Sequence, residues 1–110
     1  MKVVINADYG GFSLSDKAIE QLLELGYSKG EIEKNKIPEG DKYHIGQKYW
    51  GLRDIPRNHP LLVKVVEELG SEANGDCATL RIIEIPDNVE WVVEEYDGSE
   101  WVSEKHRTWR

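Results

Sequence analysis

The stretch Lys2-Val-Val-Ile-Asn-Ala-Asp-Tyr-Gly-Gly11 decides the fold, because it joins a short β-branched run to a glycine turn. Valine and isoleucine favour an extended backbone, since their branched side chains pack well on a pleated surface. Asn6 ends the run, and the glycines behind it permit a tight change of direction. The pattern predicts a buried strand near the start of the chain, followed directly by a turn.

The residues after this turn predict a helix over about Ser15 to Leu25. Ser13 or Ser15 is able to cap its first turn, because a serine hydroxyl accepts a hydrogen bond from a backbone N–H of that turn. Gly26 supplies a left-handed stop. The apolar side chains recur at helical spacing, at Ala18, Ile19, Leu22, Leu23 and Leu25.

The middle of the chain, from Tyr27 to Asn58, carries no lasting periodicity, because glycines and prolines recur among charged residues. We predict an irregular insert there, in which Asp41–Trp50 forms a short strand or a lid. A second helix is predicted to begin at Pro60, with Asn58 or His59 near its cap. Its apolar stripe consists of Leu61, Leu62, Val65, Val66 and Leu69, and Gly70 stops it.

The last third of the chain predicts three strands, at Ala78–Ile85, Val89–Tyr96 and Glu100–Lys105. Asp97-Gly98 is a strong signal for a hairpin between the last two. A two-residue turn sets Val93 opposite Val102, but it also sets Glu95 opposite Glu100. Like charges in opposite positions are unfavourable, so a longer loop stays an alternative. Sheet packing is the interpretation for the aromatic residues of this hairpin, Trp91, Tyr96 and Trp101.

The order of these elements predicts a single domain over residues 1–110 of the α+β class. We expect an antiparallel-rich sheet that combines the N-terminal strand with a C-terminal three-strand meander. Two helices are expected to pack on one face of that sheet, and the irregular insert covers about residues 27–58.

Composition limits the classes of function. The chain has 110 residues and a formal net charge of −7, from 21 acidic against 14 basic residues, so its average surface repels a phosphate backbone. We therefore expect no DNA or RNA partner. A single cysteine, Cys77, excludes an internal disulfide and a CxxC metal pair. The sequence shows neither a basic leader with an apolar run nor a stretch of ~20 apolar residues, which favours a cytoplasmic protein without a membrane partner.

The inventory of catalytic groups is small. His44, His59 and His106 show no HExxH or HxH spacing, and Cys77 lies in a polar turn without an evident partner base. We therefore expect no enzyme activity, no cofactor and no metal site. A hydrolase of nucleotide signals is the minor alternative.

Candidate ligand-binding residues fall in three places, and the first is the glycine turn. Exposed backbone N–H groups at the start of a helix, beside glycines and serine hydroxyls, suit a phosphate or a carboxylate. The spacing matches neither a Walker loop nor a dinucleotide fingerprint. A tight turn with an N-cap is the alternative interpretation. The residues concerned are Tyr9, Gly10, Gly11, Phe12 and Ser13.

The other two places carry basic side chains. Arg53–His59 is a proline-bounded loop, and the planar fork of Arg57 suits a phosphate or a carboxylate. Pairing of Arg57 with a nearby carboxylate of the chain is the alternative. The basic C-terminal segment offers His106, Arg107 and Trp109, whose indole is able to stack on a base. The alternative for Trp109 is packing in the core or in a subunit contact.

Several motifs resemble those of a family of small, mostly uncharacterised proteins encoded by bacteriophages and prophages. They are Val4-Ile-Asn6, Tyr9-Gly-Gly-Phe-Ser-Leu-Ser15, Asp54-Ile-Pro-Arg57, Val65-Val-Glu-Glu-Leu-Gly70, Glu94-Glu-Tyr-Asp-Gly98 and Glu104-Lys-His-Arg-Thr-Trp109. The resemblance implies a small accessory protein that acts in the cytoplasm of an infected bacterium. Such proteins often counter host defence.

The resemblance and the residues together lead to a functional expectation. The protein is expected to bind and sequester, without cleaving it, a nucleotide-derived immune signal such as a cyclic ADP-ribose isomer or a cyclic dinucleotide. Arg57 and Arg107 would supply charge for the phosphates, and Tyr9, Phe12 or Trp109 a stacking face. The alternative is a protein-interaction module that inhibits a host protein through its acidic hairpin or its long insert. Because so small a domain has little room for a deep pocket, we also expect a homo-oligomer.

Overall fold

Two antiparallel pairs of strands and three helices build the part of the chain that the structure describes, residues 1–41 and 46–104 of a computed structural model. The predicted α+β class is confirmed. In chain order the elements are β1 (Lys2–Asn6), α1 (Asp16–Glu24), α2 (Lys29–Lys34), α3 (Pro60–Leu69), a 3₁₀ turn (Gly70–Ala73), β2 (Leu80–Glu84), β3 (Trp91–Tyr96) and β4 (Ser99–Glu104).

The strands form two sheets, whereas a single sheet was expected. β1 pairs with β2, with Val4 opposite Ile82, and β3 pairs with β4. The predicted three-strand meander is therefore divided, because β2 takes β1 as its partner and not β3. The bond from the backbone N–H of Ile85 to the carbonyl of Met1 extends the β1–β2 ladder to the end of β2. Pro86, which has no N–H to donate, then starts the turn that leads the chain away.

The β3–β4 hairpin has the predicted two-residue turn, and both turn residues have positive φ, 51° at Asp97 and 91° at Gly98. Val93 lies opposite Val102 and Glu95 lies opposite Glu100, as the shorter turn requires. The two carboxylates do not share one environment. Glu95 accepts a hydrogen bond from the backbone N–H of Gly98 at 2.8 Å, whereas Glu100 pairs with Arg57. This division of partners offsets the like-charge contact that favoured a longer loop.

The two longer helices begin as the sequence predicts. Ser15 caps α1, its hydroxyl oxygen accepting a hydrogen bond from the backbone N–H of Ala18 at 3.1 Å. His59 caps α3, where its Nδ1 accepts a hydrogen bond from the N–H of Leu61 at 3.1 Å, and Pro60 fills the first helical position.

The insert between Tyr27 and Asn58 holds an element that its sequence pattern does not predict. α2 begins after Ser28, whose hydroxyl accepts from the N–H of Glu31, and it buries a single side chain, Ile32. One apolar residue in six positions leaves no periodicity to detect. An isolated bridge between Lys36 and Tyr49 closes the loop behind it, and residues 42–45 of the predicted strand or lid lie outside the described residues.

The core lies between the β1–β2 pair and the helices. Val4 and Ile82 point into it, because both belong to one face of a sheet whose two strands contact α3. The other buried contributors include Ile19 and Leu22 of α1, Ile32 of α2, and Leu62 and Val65 of α3. The hairpin lies outside this core and reaches the body of the protein where β4 passes β1.

Candidate functional site

The glycine turn is a packing junction between three loops. The hairpin tip crosses it so closely that a Cβ atom on Gly98 would overlap the amide nitrogen of Gly11 and the carbonyl oxygen of Tyr9. On another side, a Cβ atom on Gly10 would overlap Cys77. These glycines therefore allow backbone to approach backbone, which is a structural use of the residue.

Asn6 connects the same loops through its side chain, although it is fully buried. Its amide nitrogen donates to the carbonyl oxygens of Asp8 at 2.7 Å and Gly98 at 2.8 Å. Its amide oxygen accepts from the backbone N–H of Thr79 at 2.8 Å and of Asp8 at 3.2 Å. The sequence predicts only that Asn6 ends the strand, and a polar residue at the end of a buried strand is the signal for these contacts.

The sequence led us to expect that the glycine turn supplies backbone N–H donors at the start of a helix. The structure does not have this arrangement. α1 begins at Asp16, beyond Ser13 and its own cap Ser15. The carboxylate of Asp16 accepts hydrogen bonds from the backbone N–H groups of Lys48 at 2.8 Å and Tyr49 at 3.3 Å. The start of α1 therefore carries a carboxylate of the chain itself, held by the insert. Ser13 is buried, and its hydroxyl donates to the carbonyl of Asp76 at 3.4 Å.

Arg57 is committed to a carboxylate of the hairpin. Its Nη2 donates to one carboxylate oxygen of Glu100 at 2.8 Å, and its Nη1 donates to the other. The pair is largely shielded, since the Arg57 and Glu100 side chains are 17% and 8% exposed. The guanidinium carbon also lies 3.6 Å from the centre of the Phe12 ring, and Glu100 accepts the backbone N–H of Asn6 at 2.7 Å. The alternative from the sequence, pairing with a nearby carboxylate, is the arrangement present.

A cavity of about 470 Å³ lies beside this ion pair. Four of the predicted ligand-binding residues of the turn line it, namely Tyr9, Gly10, Gly11 and Phe12, together with Arg57. Its charged lining consists of two guanidinium groups, from Arg53 and Arg57, and three carboxylates, from Glu95, Asp97 and Glu100. The carboxylates outnumber the cations, so the lining of the cavity lacks the net positive charge that attracts a phosphate.

Three of the predicted ligand-binding residues, His106, Arg107 and Trp109, lie outside the described residues. The structure therefore brings together the turn and Arg57, and it does not place the predicted C-terminal group relative to them.

The outer face of the hairpin is a second candidate site, and its aromatic residues are not the sheet packing that the sequence suggested. The register puts Val92, Glu94, Tyr96 and Trp101 on one face, because paired residues point to the same side. The apolar members are 41% (Val92), 68% (Tyr96) and 45% (Trp101) exposed. We call these three side chains the hairpin patch.

The Trp101 ring is held in place by hydrogen bonds across the hairpin. Its indole N–H donates to the carboxylate of Glu94 at 2.9 Å, and the hydroxyl of Ser103 donates to the same oxygen at 2.7 Å. A ring fixed in this way loses little conformational entropy on binding. The sequence does not distinguish this exposed ring from a buried one, because apolar side chains occur on both faces of the two-stranded hairpin.

The hairpin carries charge of one sign. Between residues 90 and 104 the chain has six acidic residues, Glu90, Glu94, Glu95, Asp97, Glu100 and Glu104, and no lysine or arginine. A surface that combines exposed aromatic rings with carboxylates at its rim complements an apolar surface bordered by cations.

No protein-family model matches the chain, and neither comparison with curated proteins nor comparison with solved structures finds a similar protein. No family is identified. The resemblance to phage and prophage proteins therefore stays a prediction.

Two further properties of residues 1–41 and 46–104 bear on the site. They contain no group of three or more histidine, cysteine, aspartate or glutamate side chains placed to hold a metal ion. They also contain no helix with the length and apolar character needed to cross a membrane.

Proposed function

We propose that this chain is a protein-interaction module that docks through the hairpin patch, Val92, Tyr96 and Trp101, onto a basic surface of another protein. In the setting that the phage resemblance implies, the partner is a host protein and the module inhibits it. The observation that carries the proposal is the exposure of three large apolar side chains on one face of an acidic hairpin.

Exposed aromatic residues of this kind are the usual anchors of protein interfaces. Tryptophan and tyrosine contribute a large share of binding energy when they enter a pocket of the partner. Trp101 is the strongest anchor of the patch, because Glu94 and Ser103 already fix its orientation. The ion pair of Arg57 with Glu100 fixes the hairpin from its other face, so the patch is presented on a supported element.

Charge determines which partner fits. The net charge of −7 and the acidic run of the hairpin repel acidic proteins and attract basic ones. Charges at the rim of an interface act mainly on the rate of association and on the choice of partner. The partner is therefore a protein with an apolar pocket bordered by lysine or arginine.

The experiment compares the wild-type chain with Trp101→Ala as immobilised bait in a bacterial lysate, followed by calorimetry with each purified protein retained. We expect Trp101→Ala to weaken binding by about 2 kcal/mol or more, the loss typical of a buried tryptophan anchor. Trp50→Ala is a matched control, since Trp50 has nearly the same exposure, 42%, and lies outside the hairpin. Equal binding by all three proteins would contradict the proposal.

Sequestration of a nucleotide-derived signal is a second candidate function, and the 470 Å³ cavity at the glycine turn is the observation that favours it. Its lining includes Tyr9 as an exposed aromatic ring and Arg53 and Arg57 as cations, whereas the Phe12 ring is buried against the Arg57 guanidinium. An anionic ligand would have to compete with Glu100 for the Arg57 fork, which makes this candidate weaker than the docking surface.

One experiment separates the two candidates. The purified protein is mixed with a panel of cyclic dinucleotides and cyclic ADP-ribose isomers, and the free ligand is measured before and after heating. A sequestering protein removes the ligand and returns it intact on denaturation, whereas a hydrolase leaves products. A protein-interaction module changes neither measurement.

A further inference from the structure

The two edges of the β1–β2 sheet differ in how fully their backbone groups are bonded. In the antiparallel ladder, alternate residues of each strand point their N–H and C=O groups towards the partner strand. The reciprocal bonds between Met1 and Ile85 fix this alternation, so Ile83 and Arg81 of β2 also face β1. Every second residue of each strand therefore faces outwards.

Two outward N–H groups of β1, those of Val4 and Asn6, are bonded to the rest of the protein. The N–H of Val4 donates to the carbonyl of Arg57 at 2.8 Å, and the N–H of Asn6 donates to the carboxylate of Glu100 at 2.7 Å. The loop at Arg57 and strand β4 thus close this edge of the sheet from Val4 to Asn6.

The outward groups of β2 are covered only at one end. The N–H of Leu80 donates to the side-chain oxygen of Asn74 at 2.9 Å. Within residues 1–41 and 46–104, the outward N–H groups of Ile82 and Glu84 have no hydrogen-bond partner. β2 contains no proline and no bulge, and its two isoleucines, Ile82 and Ile83, are only half-buried between the exposed charges of Arg81 and Glu84.

We infer that this edge binds β2 of a second copy of the chain, giving a two-fold symmetric dimer with a continuous sheet in the order β1-β2-β2-β1. The strands run antiparallel around an axis at Ile83. Ile82 of each copy then exchanges both backbone hydrogen bonds with Glu84 of the other. Ile83 faces its own counterpart across the axis, as an isologous contact requires.

Two features select this register. It places Leu80, whose N–H is already bonded, opposite Pro86 of the second copy, which has no N–H, so no donor is left without an acceptor there. It also places Ile83 opposite Ile83 of the second copy, whereas an axis at Ile82 would place Ile83 opposite Arg81. Each register has one diagonal contact between like charges, the two Glu84 side chains with the axis at Ile83 and the two Arg81 side chains with an axis at Ile82.

The same features favour a second copy over an unrelated strand. Any extended peptide can bond to the open backbone groups, but the second copy also supplies an apolar residue, Ile83, at the axis and a residue without an N–H, Pro86, opposite Leu80. A dimer of this kind is independent of the hairpin patch, because the two surfaces share no residue.

Sedimentation of the full chain with Glu84→Pro and Glu84→Ala tests the dimer. Glu84 bonds outwards, so proline removes the outward N–H while leaving the ladder with β1 in place, and edge strands tolerate proline at such positions. We expect the wild type and Glu84→Ala to sediment as dimers of the 12.6 kDa chain, and Glu84→Pro to dissociate about tenfold or more readily. A monomeric wild type would overturn the inference.

Cysteine cross-linking tests the register and does not depend on the folding of the proline variant. In a Cys77→Ser background, Ile83→Cys sets two cysteines opposite each other, with Cα atoms about 4.5 Å apart, a distance that a disulfide spans. Under mild oxidation we expect a covalent dimer from Ile83→Cys and little from the matched control Ile82→Cys. Stronger cross-linking through position 82 would overturn the register, and cross-linking through neither would overturn the dimer.

Discussion

At the scale of single residues, the ion pair of Arg57 with Glu100 decides how the hairpin is attached. Burying two opposite charges gives little net stability when both are present, because desolvation offsets their attraction. Removing one partner is different, since the remaining charge stays in a site that was shaped for a pair. The guanidinium also shields one face of Phe12, so its loss would expose apolar surface as well.

We therefore expect Arg57→Ala to lower the free energy of unfolding by about 3 kcal/mol, the low end for one partner of a buried pair. The control is Arg53→Ala, because Arg53 is exposed and its loss should change stability by less than about 0.5 kcal/mol. Urea unfolding at neutral pH measures both values. Equal, small losses would mean that the pair does not hold the hairpin.

At the scale of elements, the glycine turn and the hairpin tip form one contact, and Gly98 is its closest point. Gly98 combines a φ of 91° with backbone atoms of Tyr9 and Gly11 where a Cβ atom would lie. Gly26 has a similar φ of 99°, but nothing lies within 4 Å of its Cβ position. A comparison of the two glycines therefore separates the strain of a positive φ, which both positions share, from the steric overlap of a Cβ atom, which only Gly98 would have.

We expect Gly26→Ala to destabilise the protein by about 1–2 kcal/mol, the strain of a left-handed alanine. Gly98→Ala should lose at least about 1 kcal/mol more, because overpacking adds to the same strain. Thermal unfolding of both variants, followed by circular dichroism, measures the difference. Equal losses would show that the hairpin tip is able to move away from the turn.

The elements also show how far the sequence predicts the structure. α1 and α3 are predicted because each has a complete apolar stripe and a cap, and the Asp97-Gly98 turn is predicted because its chemistry is local. The pairing of β1 with β2 is not local. It depends on two strands with more than 70 residues between them, Lys2–Asn6 and Leu80–Glu84, and no short pattern encodes that choice.

The candidate site was predicted to a smaller extent for the same reason. The sequence identifies Tyr9–Phe12 and Arg57 as a group, and the structure does bring them to one cavity. The sequence does not reveal that Glu100 reaches Arg57, because that contact spans 43 residues. One long-range carboxylate is enough to change the interpretation of Arg57 from a free phosphate clamp to half of an ion pair.

At the scale of the whole molecule, the net charge gives the two proposed contacts opposite salt dependence. The described residues extend 50 Å along their longest axis, well beyond the screening length of about 8 Å at physiological ionic strength. At about 0.01 M salt the screening length grows to about 30 Å, so the charge acts over much of the molecule. Two copies that each carry −7 repel, whereas one copy and a basic partner attract.

Raising NaCl from about 20 to about 300 mM, which shortens the screening length severalfold, should therefore strengthen the β2-edge dimer and weaken binding through the hairpin patch. The dimer dissociation constant is measured by sedimentation equilibrium, and the partner dissociation constant is measured with Glu84→Pro, which keeps the hairpin but not the dimer. The two constants should move in opposite directions. If both constants rise with salt, ion pairs hold the two copies together and the backbone contact along the β2 edge is wrong. If both fall, the hairpin patch binds through apolar contact alone and the basic partner is wrong.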